Sequence, residues 1–338
     1  MRLALACAAL LLTLSCAQHV SFREMSSNGK ATGVKFDTGY EERVLQYIWR
    51  TYRTRLVNAV RGYEGFRVVG NGGEQMLAAH VGLCLYAALW YIHIYPTTDA
   101  IGGWEFGKRS GRRFSKTKFY ACVVPVIMEL ALILDEIKYS DRLHPRNHGS
   151  GFFYRRFTAI VDCAPVFVRE PTDHFWSSLL FQGKYDGAVF KIQVAINFMG
   201  WIVLYTGLHV GTHNDDVIFA DTAALHPFEW WEYWVGDSAY QWCMGCITGF
   251  TQLARRALGQ DETWFNSYLN HYRQRIEHTM NLIKDHGMWR VQHCRNCAPV
   301  LDACMRLTVH FTNVAIKEPW EAVPCARYPG IGNHAHYP

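Results

Sequence analysis

Apolar positions recur with two different periods along this chain, and the change falls near residue 156. From 40 to 140 the spacing is helical. Residues 41–61 predict a helix with one polar and one apolar face. Residues 74–95 predict a helix that is apolar nearly throughout. Ser115 is a candidate N-cap for a helix over 116–137, kinked or offset at Pro125. Two of these helices flank a short element at 99–106, loosely in the manner of a helix-turn-helix. The plainer reading is a helical subdomain packed on the core. Residues 140–156, rich in His, Arg, Gly and Ser, read as a connector.

Beyond the connector the period shortens to two. FTAIVD (157–162) reads as a buried strand. Phe190, Ile192, Val194 and Ile196 alternate with Lys191, Gln193, Ala195 and Asn197, as in a half-buried strand. Residues 201–205, 233–235 and 247–250 supply three more strands, and 215–224, 262–284 and 299–315 three helices. The expected class is α/β: a mixed five-stranded sheet flanked by helices, with an N-terminal helical subdomain at 40–140 and a second domain at 155–318. Three strands, a helix, two strands and then helices is the order of a ribonuclease H-like fold. In that fold the first and fourth strands are neighbours. Two of the strand-like runs, FTAIVD and YWVGD, end in Asp162 and Asp237, which the fold order brings together. On 262–284, Arg273, Glu277 and Lys284 are four and seven apart and share one helix face.

Composition adds constraints. The 338 residues are 50% hydrophobic and 14% aromatic, which excludes a disordered chain. A net charge of +5 is too mild to imply a nucleic-acid partner by itself. Its distribution is more telling. KRSGRRFSKTK holds Lys108, Arg109, Arg112, Arg113, Lys116 and Lys118 with no acid between them, a candidate phosphate-contacting patch or a solvated loop. Residues 1–17 look like a secretory signal with a small-residue cleavage site. A buried helix or a misplaced start codon competes with that reading. Among the eleven cysteines are two CxxC pairs, Cys243/Cys246 and Cys294/Cys297. Zinc, a disulfide framework and buried free thiols all remain open, with free thiols the default.

Two aspartates and a helical glutamate suit phosphodiester cleavage. Two Mg²⁺ ions, or Mn²⁺, neutralise the phosphate and stabilise both the attacking and the leaving oxygen. Hard cations of this kind take carboxylate ligands and keep several waters. Asp162, Asp237 and Glu277 are the candidate catalytic and metal-holding residues, with Asp215 an auxiliary acidic group. Arg273 and Lys284 are candidates to orient Glu277 or hold phosphates.

Several blocks carry a family resemblance. VDCAPVFVREP (161–171), QGKYDGAVFKIQVAINFMGWIVLYTG (182–207), GTHNDDVIF (211–219), VGDSAY (235–240) and ACMRLTVHFTNVAI (303–316) resemble blocks of the Harbinger/P-instability-factor group of DDE transposases. RQRIEHTMNLIK (273–284) resembles the Arg-x3-Glu-x6-Lys motif of bacterial transposases. Asn214 stands where a histidine is usual, and Thr312 precedes Asn313 where a histidine is usual. The resemblance implies metal-dependent cutting and joining of transposon DNA in the nucleus. It also implies DNA as partner, with a Myb-like protein and a homo-oligomer as further candidates and no membrane. Two alternatives remain: a domesticated DNA-binding or chromatin-associated protein without catalysis, and a secreted disulfide-bonded protein.

Overall fold

The computed structural model describes residues 31–96, 100, 101, 105, 106, 112, 113, 115–144, 156–252, 257–290 and 297–321. The signal-like residues 1–17 lie outside them. Helices α1 (Ala31–Thr38), α2 (Glu42–Val60), α3 (Glu64–Gly70) and α4 (Glu74–Ile94) come first. A two-residue ribbon, β1 (Glu105–Phe106) with β2 (Arg112–Arg113), leads into α5 (Lys116–Ile133). Apolar on every side, α4 is the centre of the helical half, with α1, α2, α3 and α5 packed round it. By length and composition α4 is apolar enough to cross a membrane, against the expectation that no stretch beyond residues 1–17 has that length without charges. In the fold it is core, with Leu83 to Ile92 buried without interruption. Ser115 does cap α5, its Oγ accepting from Lys118 N at 3.2 Å. The helix runs through Pro125 and stops at Ile133, four residues short of expectation, because Leu134 is extended.

The second half holds β3 (Phe157–Phe167), α6 (His174–Leu180), β4 (Phe181–Gln182), β5 (Gly187–Ile196), β6 (Ile202–Val210), α7 (Asp215–Leu225), β7 (Tyr233–Val235), β8 (Cys246–Ile247), α8 (Gln260–Lys284), α9 (Gly287–Arg290) and α10 (Ala298–Glu321). β3 pairs antiparallel with β5 and parallel with β7. β5 pairs antiparallel with β6 and, at its start, with β4; β7 pairs parallel with β8. With the two-residue β4 set aside, the order across the sheet is third, second, first, fourth, fifth in chain sequence. The result is a mixed sheet flanked by helices.

Two sequence expectations need correction here. Asp162 does not end its strand, because β3 continues against β5 to Phe167. What ends is β7: its last paired residue, Val235, faces Ile160. Beyond that point no strand among the described residues pairs with that edge of β3, so Pro165, which has no N–H to offer a ladder, is accommodated. Nor is β5 half-buried. Lys191 and Gln193 are as enclosed as their apolar neighbours, and Asn197 just beyond the strand is fully buried.

A buried ion pair sets the β3–β7 register. The Glu232 carboxylate, just before β7, accepts from Arg142 Nε at 2.7 Å and Nη2 at 3.1 Å. It also accepts from Trp234 Nε1 at 3.0 Å, Glu229 N at 2.9 Å and the Thr158 hydroxyl. Burial pushes the Glu232 carboxyl toward neutrality, but these donors outweigh it and hold its pKa below the ordinary value. Thr158 belongs to β3, Trp234 to β7 and Arg142 to the 3-10 turn Tyr139–Leu143, so one carboxylate ties three segments together. Asn313 of α10 does the same for the two halves. Its Oδ1 accepts from Ile202 N at 2.8 Å, and its Nδ2 donates to Glu136 O at 2.7 Å and Ile202 O at 3.1 Å. Glu232→Ala leaves the Arg142 guanidinium buried without its counter-charge. We expect a loss of about 3–5 kcal/mol in urea unfolding; an unchanged midpoint would show that the network contributes nothing.

Candidate active site

Parallel strands place residues of equal offset side by side. With Ile160 opposite Val235, two residues further on each strand bring Asp162 level with Asp237. Asp237 caps the 3-10 turn Ser238–Tyr240, its Oδ1 accepting from Ala239 N at 2.9 Å. Asp162 Oδ1 accepts from Cys163 N at 2.8 Å. The Oδ2 atom of each has no hydrogen-bond partner among the described residues.

Asp162 is pushed up to about 6, first by burial and next by the charge of Asp237. The Cys163 N–H and the cations Arg273 and Lys284 partly offset this. Both cations project from α8, which packs on β3. Glu277 lies between them on the same stripe, and its side chain is exposed. Among the described residues no three His, Cys, Asp or Glu side chains converge closely enough to hold a metal ion. The β3–β7 register brings Asp162 and Asp237 together, and Glu277 stands exposed on α8.

Asp215 opens α7 beside the pair, and its Oδ1 meets Lys191 Nζ at 3.0 Å. Lys191, buried on β5, also donates to His213 O at 2.8 Å. Behind the pair lies a neutral polar layer that sequence reasoning missed. Tyr240 donates to Cys163 Sγ at 3.3 Å, Gln193 Nε2 to the same sulfur at 3.7 Å, and Thr222 to Gln193 Oε1 at 2.8 Å. Burial pushes the Cys163 thiol far up, so it stays protonated. The signal for this layer was present in the sequence: Gln193 and Lys191 are the two polar residues among the apolar ones of β5.

Of the basic patch, Lys108 and Arg109 lie outside the described residues. Arg112 and Arg113 form β2, and Lys116 and Lys118 are exposed in the first turn of α5. All seven described cysteines are free thiols, Cys243, Cys246 and Cys297 among them, while Cys294 lies outside the described residues.

The donor set suits a hard divalent cation. Two adjacent carboxylates repel and each has an open oxygen, so a divalent cation held by them would offset the burial and the repulsion that raise Asp162.

Residues 161–309 match the DDE superfamily endonuclease family. The matched segment contains Asp162, Asp215, Asp237, Arg273, Glu277 and Lys284. The match supports a DDE-class nuclease or transposase with DNA as its substrate, and domains of this kind typically use divalent metals. Comparison with curated proteins and with solved structures found no match.

The raised Asp162 makes stability depend on pH. The folded state holds this proton more tightly than the unfolded chain, so the contribution is fully favourable below about pH 4 and is lost as pH rises through about 6. Without divalent ions, Asp162→Asn is expected to match the wild type near pH 4 and to exceed it by up to about 3 kcal/mol at neutral pH. A constant difference across pH would show that Asp162 titrates normally.

Proposed function

We propose that this protein is a metal-dependent DNA endonuclease of the DDE class, a transposase of the Harbinger type on a ribonuclease H-like sheet. The observation that carries the reading is the side-by-side placement of Asp162 and Asp237 at an open strand edge, with two cations facing them from α8. The third-second-first-fourth-fifth strand order supports the fold assignment. Asp162 and Asp237 are the residues to hold divalent cations, and Glu277 on α8 is the third ligand. Bound there, Mg²⁺ or Mn²⁺ would neutralise the scissile phosphate and polarise the attacking water. Arg273 and Lys284 place fixed positive charge against the same phosphate and limit the repulsion between it and the carboxylates. Lys191 holds Asp215 in place at the wall of the site. The protonated Cys163 and Tyr240 pack beneath Asp162 without adding charge.

The basic patch belongs to DNA engagement in this reading. Lys116 and Lys118 occupy the positive end of the α5 dipole, an electrostatically poor place for cations unless an anion joins them. Nuclear location, a Myb-like partner and a homo-oligomer belong to the same proposal. A domesticated DNA-binding protein without catalysis is the second reading, favoured by the exposed Glu277 and the absence of a three-carboxylate cluster among the described residues.

Plasmid nicking separates the two. With Mn²⁺ or Mg²⁺ the wild type nicks supercoiled DNA, and Asp162→Asn or Asp237→Asn slows nicking by more than about a hundredfold, over 2.7 kcal/mol of barrier. Equal nicking by wild type and variants would overturn the site. DNA binding without any nicking would favour the second reading. Replacing Arg112, Arg113 and Lys116 with alanine is expected to weaken binding evenly across sequences. The salt slope should fall by roughly 0.9 for each duplex phosphate that is no longer neutralised. An unchanged slope would return the patch to a solvated loop.

A further inference from the structure

Trp242 stands five residues beyond Asp237 and is 90% exposed. Its backbone is also in the left-handed region, at φ 77°. A bulky residue there is strained by of order 1–3 kcal/mol. Among the described residues the indole itself has no ring contact or hydrogen bond, so the side chain does not offset that strain. The turn that carries it is nonetheless firmly held. Two residues earlier Tyr240 is fully buried, its hydroxyl on the sulfur of Cys163, the neighbour of Asp162. Cys243 N donates to Tyr240 O and Cys246 N to Cys243 O, both at 3.1 Å. Gly245, at φ 81°, lets the chain pass closely over the Phe228 ring before β8. Met244, 93% exposed, extends the same apolar projection. The chain therefore holds a large flat ring out in solvent on a fixed turn. Contour length limits its distance from Asp237 to about 17 Å.

We propose that Trp242 is a base-stacking residue, its indole receiving an unpaired base of the DNA beside the Asp162–Asp237 pair. The proposal rests on the nuclease reading above. At one base per 3.4 Å of strand, the ring meets DNA within about five nucleotides of the phosphate at the carboxylates. An indole stacks on any base, so the contact discriminates unpaired from paired DNA and carries little sequence information. Within a duplex the face of each base is covered by the pairs stacked above and below it, so a projecting ring finds no free face there. The preferred substrate is therefore DNA with frayed or single-stranded nucleotides at the cut.

The test uses the full chain with Ca²⁺ and two fluorescein-labelled duplexes of about twenty base pairs, one blunt and one ending in about three unpaired nucleotides. Fluorescence anisotropy reads affinity. Wild type is expected to prefer the overhang. Trp242→Ala is expected to lose at least about fivefold on the overhang and little on the blunt duplex, and Trp242→Phe to keep most of the preference. Trp242→Gly should lose the preference while keeping or raising the melting temperature, because glycine relieves the left-handed strain. A merely structural tryptophan would instead give a lower melting temperature and equal losses on both duplexes, which overturns the proposal. Unchanged affinities in Trp242→Ala overturn it while leaving the nuclease reading intact. Wild type that binds neither duplex contradicts the nuclease reading and the proposal together.

Discussion

The parallel pairing of β3 with β7 is the constraint on which the site depends, and it is made by very little backbone. β7 is three residues long, and parallel ladders are slightly weaker per residue than antiparallel ones. Side chains supply the rest. Glu232 joins both strands to Arg142, and Trp234 lies in a cage of Phe228, Phe219 and Tyr139. A slip of this short strand by one residue would turn Trp234 out of the cage and move Asp237 away from Asp162. Fold stability and site geometry thus share one buried network, and damage to that network would be felt in the chemistry.

The same economy governs the helices. α10 lies between the helical half and the sheet, with Asn313 bonded to both and Tyr40 donating to Thr308 O at 3.0 Å. α8 crosses the sheet with Tyr272 against Phe198 and Arg275 on the Phe198 carbonyl. That anchoring points the Arg273–Lys284 stripe at the open edge of β3. Burial first and the charge of Asp237 next work against an ionised Asp162, and the cations of α8 only partly compensate. Function is therefore held at a cost in stability, which the large apolar core absorbs.

Much of this was legible in the residues. Tyr233–Val235 was expected with the bounds it has, and the apolar run at 74–95 ends one residue from where α4 does. The two aspartates were found because apolar runs lead into them. The continuation of β3 past Asp162 was hidden by Pro165, which reads as a stop unless the neighbouring edge is known to be open. Lys191 and Gln193 were placed on a solvated face because alternation of polar and apolar residues signals half-burial. Here the polar members serve a buried layer instead. Glu232 sits among aromatic residues in a stretch that resembles a loop, and its partner Arg142 is 90 residues away, so no local pattern announces the pair. Helices α1 and α3 are short and were not anticipated. The Arg273, Glu277 and Lys284 stripe lies on one helix as expected, and the charges of Arg273 and Lys284 reach Asp162.

Localised oxidative cleavage tests the central claim, that the β3–β7 register makes one cation site from Asp162 and Asp237. Iron(II) takes carboxylate ligands like those of Mg²⁺, and with ascorbate and peroxide it cuts the backbone nearest to where it binds. The account predicts two cuts, one within β3 beside Asp162 and one after β7 beside Asp237, both suppressed by excess Mg²⁺ and by Asp162→Asn. Cuts at only one of these segments, or only elsewhere in the chain, would contradict it.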